Sequence, residues 1–199
     1  MAEIKEPQKV FAFVGLIFLG DFEIDRALKF FDRILGDVRK KSDIILFTHT
    51  AYYNKEMGEN LFRQWVLFQK LVFPDILVEL KHKSNEIEKK FLNKDGGRII
   101  NIDPGLVSLN NIVLASTKNY THRVYLGKGI YAEVTLIYKQ GQFRPLEWTY
   151  PDYHEKTALR FFTEARTILK NRLKTASFEK ELYPFKRKGE SQCNGGICV

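Results

Sequence analysis

Cysteine is almost missing from this chain: the two present, Cys193 and Cys198, stand near the C-terminal end around Asn194-Gly195-Gly196. The segment that must supply the core therefore has no disulfide framework, which agrees with a reducing compartment. A Cys-x-x-x-x-Cys pair in a Gly-rich tail could close a small loop or hold a metal. Two ligands fall short of the four of a structural zinc site, and a flexible tail is the better account of the pair. Long apolar runs are missing too. The longest, Val10 to Leu19, is followed at once by Asp21 and Glu23 and is well short of the ~20 residues of a membrane helix. No basic-then-apolar leader with a small-residue cleavage site opens the sequence, so a cytoplasmic location without a membrane partner is expected. His49, His82, His122 and His154 lack metal-ligand spacing, and no nucleophile elbow, zinc ribbon, fixed-period repeat or low-complexity block occurs. Two nucleotide signatures also fail. Gly15 and Gly20 are spaced as in a phosphate loop, but Asp21 and Phe22 stand where Lys and Ser/Thr are needed to hold terminal phosphates and magnesium. Asn93-Lys94-Asp95 is one residue short of the guanine-reading Asn-Lys-x-Asp pattern.

What remains is an ordinary globule of 199 residues, 44% hydrophobic and 28% charged, long enough for one well-buried core. The formal charge of +8 is concentrated in Arg39-Lys40-Lys41 and in Lys186-Arg187-Lys188. Such clusters attract nucleic acid or anionic ligands, or are simply solvated surface. Neither is interleaved with aromatics as a single-strand-binding platform would be.

Hydropathy patterning predicts a central strand over Val10–Leu19. A helix then follows with Asp21 as N-cap, Ile24, Ala27, Leu28, Phe31, Ile34 and Leu35 at helical spacing, and Gly36 as C-cap. Ser42–Thr50 is expected as a strand and Glu56–Val72 as a helix with Leu61, Trp65, Phe68 and Val72 on one face, ended by Pro74. Ile76–His82 is a further expected strand. A short helix follows from Asn85, with Glu88 completing a capping box. Arg98–Ile102 and Ile112–Ser116 flank a turn at Asp103-Pro104-Gly105. His122–Leu126, Ile130–Lys139 and Gln142–Trp148 are expected as a β-meander, and His154–Lys174 as the last helix. These elements define a single-domain α+β fold with a mixed or antiparallel sheet, a meander in its C-terminal half and about four helices. The domain is expected over residues 9–174, between an N-terminal arm (1–8) and a basic, Cys-containing tail (175–199).

Between Arg98 and Asp152 the strand pattern carries a high density of functional side chains. A three-residue loop Gly127-Lys128-Gly129 pairs Leu126 with Ile130 and sets Arg123 opposite Glu133, whereas a two-residue loop sets His122 there. Either way a base stands beside Glu133, for an anionic or acid–base task or as a cross-strand ion pair. Tyr131, Glu133 and Thr135 share the strand face opposite the core residues Ala132, Val134 and Leu136, so they meet solvent, a pocket or a helix. Asp103 is a ligand or base at a strand end, or bonds its own turn. Lys118, with Ser116 and Thr117, is a candidate phosphate-binding cation or a plain surface lysine. Asp152 with Glu155 reads as a capping box whose helix N-terminus could face an anion. Tyr52, Tyr53 and Glu56 lie at a strand's carboxyl end, where ligands of α/β sheets bind. Arg63, Lys81 and Arg98 would add positive charge if the fold brings them near.

Several of these residues fall in strings that resemble a small bacterial family known only as domain of unknown function four-four-one-six. The strings are Ala51-Tyr52-Tyr53-Asn54-Lys55-Glu56-Met57-Gly58, Asn101-Ile102-Asp103-Pro104-Gly105, Leu114-Ala115-Ser116-Thr117-Lys118, His122-Arg123-Val124-Tyr125-Leu126, Gly129-Ile130-Tyr131-Ala132-Glu133-Val134-Thr135-Leu136 and Trp148-Thr149-Tyr150-Pro151-Asp152-Tyr153. The likeness runs from about Val10 to Leu173. It implies no agreed activity. Some members carry a GTP-binding label, which the missing phosphate-loop lysine argues against here in the usual G-protein sense.

The expectation is a mixed-charge pocket that binds a small anionic, phosphate-bearing ligand and could act on it. Lys118 and Arg123 would be the anion contacts and His122 the acid–base group. Glu133 and Asp103 would orient side chains or hold a divalent cation. An RNA-binding or RNP-associated module using the basic clusters, and a protein-interaction adaptor without a ligand, are the alternatives.

Overall fold

The computed structural model of the protein describes residues 3–182, with side chains described as far as residue 175. In chain order its elements begin with β1 (Val10–Leu19). A broken helical segment follows: α1 (Asp25–Leu28), a 3-10 turn (Lys29–Phe31) and α2 (Asp32–Leu35). Next come β2 (Val38–Lys41), β3 (Ile45–Leu46), α3 (Asn54–Met57), β4 (Leu61–Val72) and α4 (Leu77–Glu88). The second half contains β5 (Ile100–Val107), β6 (Asn111–Ser116), β7 (Arg123–Gly127), β8 (Ile130–Lys139), β9 (Gln142–Pro145) and α5 (Lys156–Leu182). The strands form one sheet in the order β2-β4-β1-β5-β6-β8-β7, with β3 beside β4 and β9 beside β8. Every pairing is antiparallel. The fold is α+β.

β1 is apolar along its length because it is covered on both faces. Ala12, Val14, Leu16 and Phe18 belong to a core cluster shared with Leu28, Phe31, Leu80 and Ile87 from α1, α4 and the turn between α1 and α2. Phe11 and Phe13 point the other way, into a cluster with Phe161, Phe162, Ala165 and Leu169 of α5. The sheet is thus sandwiched between α5 on one face and α1, α2 and α4 on the other, while Met57 of α3 packs with Ile17 and Leu61.

Several sequence expectations are corrected. Residues 56–72 are not one helix: Gly58 (φ 89°) and Asn60 (φ 59°) break the chain after α3, and Leu61–Val72 is a strand. Leu61, Trp65, Phe68 and Val72 do match a helical period, but β4 lies between β1 and β2 and is buried on both faces. Burial on both faces erases the alternation by which a strand is recognised. Pro74 does not end a helix; it opens a 3-10 turn that feeds α4, so the strand expected over Ile76–His82 is helical. Asn85 lies inside α4 and caps nothing. Of the strand expected over Ser42–Thr50, only the two residues of β3 (Ile45–Leu46) join the sheet.

Asp103-Pro104-Gly105 is not a turn either. β5 runs through it, paired with β1 along its length, while β6 joins only from Gly105. Proline is tolerated where a strand has an unpaired side, and β5 has one up to Pro104. α5 begins at Lys156, so Asp152 and Glu155 do not occupy its N-cap and N3 positions as a capping box requires, and the Asp152 carboxylate meets Arg63 instead. α5 continues to Leu182, past the expected end at Lys174. Cys193, Cys198 and the basic cluster Lys186-Arg187-Lys188 lie outside the described residues.

The other basic cluster is β2, at the sheet's edge. Lys40 pairs with Glu164 at 2.6 Å and Lys41 with Asp25 at 2.5 Å, while Arg39 donates to Gln69. In the meander, β8 pairs with β6 on one flank and with β7 and β9, in succession, on the other. Among the described residues no helix is long and apolar enough to cross a membrane.

Candidate functional site

β5 and β6 share only three paired positions, Gly105↔Leu114 to Val107↔Ile112. Beyond them the two strands part, and backbone groups on the inner side of β5 need other partners. α4 supplies them. The Ile102 N–H donates to Glu88 Oε1 at 2.6 Å, and Lys81 Nζ reaches the Ile102 carbonyl at 3.4 Å. In the cleft lies a cavity of about 560 Å³. Lys81, Asn85 and Glu88 line it from α4, at positions i, i+4 and i+7 of one helix face. Asn101 and Asp103 line it from β5, two residues apart on one strand face.

These side chains form a continuous network. Asp103 accepts from Lys81 at 3.2 Å and from Asn101 at 2.7 Å. Arg98 bridges Glu88 (2.7 Å) and Glu56, whose two oxygens it meets through Nε and Nη2 at 2.6 and 2.8 Å. Burial raises the Glu88 pKa, more than the nearby Lys81 and its bonds from Ile102 and Arg98 lower it. Burial also opposes the Asp103 charge, but Lys81 and Arg63 outweigh it and the pKa is lowered. The bonds from Arg98 hold Glu56 below its usual range.

Arg63 of β4 lines the cavity and is 2% exposed. Its guanidinium lies 4.9 Å from the Trp65 ring and 5.3 Å from the Tyr153 ring. A Cβ at Gly15 would stand 2.8 Å from Nη2, so the glycine considered for a phosphate loop instead leaves room for this side chain. Asp152 Oδ2 is 2.8 Å from Nε, an ion-pair contact out of line with the N–H. Nε and Nη1 are buried and make no hydrogen bond. Burial works against the Arg63 charge, yet Asp152, Tyr153, Asp103 and Tyr53 together raise its pKa.

The opposite wall comes from β6, β8 and their loops. The β7–β8 turn is a two-residue one, with Lys128 (φ 52°) and Gly129 (φ 76°) both left-handed. Gly127 rather than Leu126 faces Ile130, and a bulge between Tyr125 and Gly127 restores the register that puts Arg123 opposite Glu133. Both candidate bases reach the acid, Arg123 Nε at 2.9 Å and His122 Nε2 at 3.1 Å. Thr135 donates to the other Glu133 oxygen. A second bulge sets Val113 against Val134 and Ile112 against Leu136, leaving Thr135 as the extra residue, so Glu133 and Thr135 are buried although Leu136 is too. Arg123 spends its remaining donors on Ser116 Oγ (2.8 Å), the Lys118 carbonyl (3.0 Å) and Tyr150 Oη (2.7 Å). Burial raises the Tyr150 pKa, with Glu133 adding to it. Lys118 Nζ donates to Tyr52 Oη at 3.2 Å and has no carboxylate partner among the described residues.

Of the residues singled out from sequence, Asp103, Lys118, Glu133, Tyr52, Tyr53, Arg63, Lys81, Arg98 and Asp152 line this one cavity. Arg123, His122, Thr135 and Glu56 do not; each sits behind a lining residue and bonds to it. His122 is stacked flat on Trp148, ring centroids 5.0 Å apart. Among the described residues no three His, Cys, Asp or Glu side chains form a group that could hold a metal ion. Glu88, Asn101 and Tyr150 were not singled out. Lys81, Asn85 and Glu88 carry the i, i+4, i+7 signal, hidden while their segment is divided between a strand and a helix cap. Asn101 shares its face with Asp103 once β5 is continuous.

A family model matches residues 8–169, across the whole sheet and about the first half of α5. The chain belongs to the family described as Domain of unknown function (DUF4416). Neither the curated proteins nor the solved structures contain a significant match to it. The cavity of this DUF4416 chain lies wholly inside the matched span.

Proposed function

We propose that the cleft between β5 and β6 binds a small anionic ligand, with Lys118 and Arg63 as its charged contacts. The supporting observation is an imbalance in hydrogen-bonding capacity. Glu133 and Glu88 have both oxygens engaged by protein donors, as does Asp103. Arg63 keeps its buried Nη1 without an acceptor and its Nε out of line with Asp152, and the exposed Lys118 donates to a tyrosine hydroxyl. Surplus donors call for an acceptor, and charge-assisted bonds to an oxyanion satisfy them best. The volume is in the range of small-molecule sites. The hydroxyls of Ser116 and Thr117, beside Lys118, suit a phosphate group. Arg123, with its donors already used, becomes a positioning residue that holds Glu133, Tyr150 and the Lys118 backbone in place.

The test is thermal unfolding with and without inorganic phosphate and simple phosphate monoesters. Phosphate-bearing anions should raise the Tm of the wild-type protein. Lys118→Ala should remove that rise while leaving the unliganded Tm nearly unchanged, because Lys118 is exposed. An unaltered response in the variant, or no response in the wild type, sinks the proposal.

A further inference from the structure

Two tyrosines at the cavity mouth share an arrangement that anion binding alone does not require. Tyr52 and Tyr150 line the cavity, yet are 64% and 44% exposed. Each is held at its hydroxyl by a cation from the β6–β7 region: Tyr52 by Lys118 at 3.2 Å and Tyr150 by Arg123 Nη2 at 2.7 Å. Tyr52 is further fixed edge-to-face against Tyr53, ring centroids 5.1 Å apart. Lys118 Nζ also lies 4.8 Å from the Tyr52 ring centroid. The polar end of each ring is therefore tied down by a donor, and each residue is still more than two-fifths exposed. Rings held this way lose little conformational freedom when a flat partner stacks on them.

We infer that the ligand is an aromatic anion, its planar ring packing on Tyr52 and Tyr150 at the mouth and its anionic group meeting Lys118 and Arg63. This rests on the anion-binding reading above and adds the chemical class of the ligand's body. Inorganic phosphate would satisfy the donors but leave both rings in water. An aliphatic phosphate of similar size would cover them without the stacking geometry that two π-faces favour.

The experiment compares inorganic phosphate, glycerol 3-phosphate and phenyl phosphate on the full-length protein, by isothermal titration and by the quenching of tyrosine and tryptophan fluorescence. Phenyl phosphate should bind about tenfold more tightly than glycerol 3-phosphate, the scale of a single stacked ring. Tyr52→Ala should reduce that preference to near unity and keep the weaker phosphate binding. Tyr150→Leu should act in the same direction, and circular dichroism of each variant confirms that it folds. Equal affinity for the phenyl and glycerol esters overturns the aromatic inference and leaves the anion site standing. Failure of all three probes to bind overturns both.

Discussion

Glu133 is 1% exposed and carries its charge between Arg123, His122 and the Thr135 hydroxyl. Removing Arg123 would leave a buried carboxylate with an imidazole and a hydroxyl, and breaking a buried pair from one side costs about 3–5 kcal/mol. Arg123→Ala should therefore destabilise the protein by roughly that amount in urea unfolding. Adding Glu133→Gln should recover part of the loss, since the orphaned charge is then gone. A single variant within about 1 kcal/mol of wild type would mean that His122 suffices as the partner. Strand alternation and the glycines of one turn narrowed the partner of Glu133 to Arg123 or His122; the bulge between Tyr125 and Gly127, which sets Arg123 opposite despite the two-residue turn, was not legible in the sequence. Nor was the role of Arg63. Its proximity to Asp152 depends on a strand and a loop far apart in the chain, and on the missing side chain at Gly15.

The elements that were legible from sequence are those with one buried face or clear punctuation: α5, with Ala158, Phe161, Phe162, Ala165 and Leu169 turned inward, and the strands around the Gly127 and Gly141 turns. Those that were not are buried on two sides. β4 imitates a helix because a strand between two neighbours and two helix layers needs apolar residues almost everywhere. β5 hides behind Pro104, whose missing N–H falls where the neighbouring strand is absent. Gly105 stands where β5 first meets β6, in tight contact with β1. A Cβ there would lie 2.5 Å from the Phe13 ring and 2.7 Å from the Val113 carbonyl, so neither strand can move without shifting the other. Gly105→Ala should cost about 2 kcal/mol or more in unfolding free energy. A neutral result would show that the three strands yield together. The same substitution at the exposed Gly141 meets nothing within 4 Å, but its φ of 83° adds backbone strain; a smaller loss is expected there.

For the whole molecule, the cavity's charges set how stability responds to acid. The Glu56 pKa is lowered in the fold by Arg98, and that of Asp103 by Lys81 and Arg63 against burial. A depressed carboxylate contributes stability that is present above its unfolded pKa and lost as the pH falls through the folded one. The loss attached to Glu56 therefore begins near its ordinary value of 4.5 and continues below it. Glu88 acts in the opposite sense: its raised pKa means that protonation is easier in the fold, which offsets part of the loss. Wild type should melt above Glu56→Gln at pH 7, and the gap should close as the pH drops below about 4.5. A gap constant down to pH 2.5 would show that Arg98 does not act on Glu56 through charge.

The place of β1 in the sheet bears on how the chain is made. It is a wholly apolar stretch and is synthesised before the other strands of this sheet. The strands that flank it come much later, with Val10 waiting for Val72 and Phe11 for Val107. Until β5 has emerged, a nearly uncharged segment has no finished docking place, and nascent chains in that interval are open to misassociation. Translation speed between β1 and β5, together with factors that shield emerging apolar segments, thus governs the yield of folded protein.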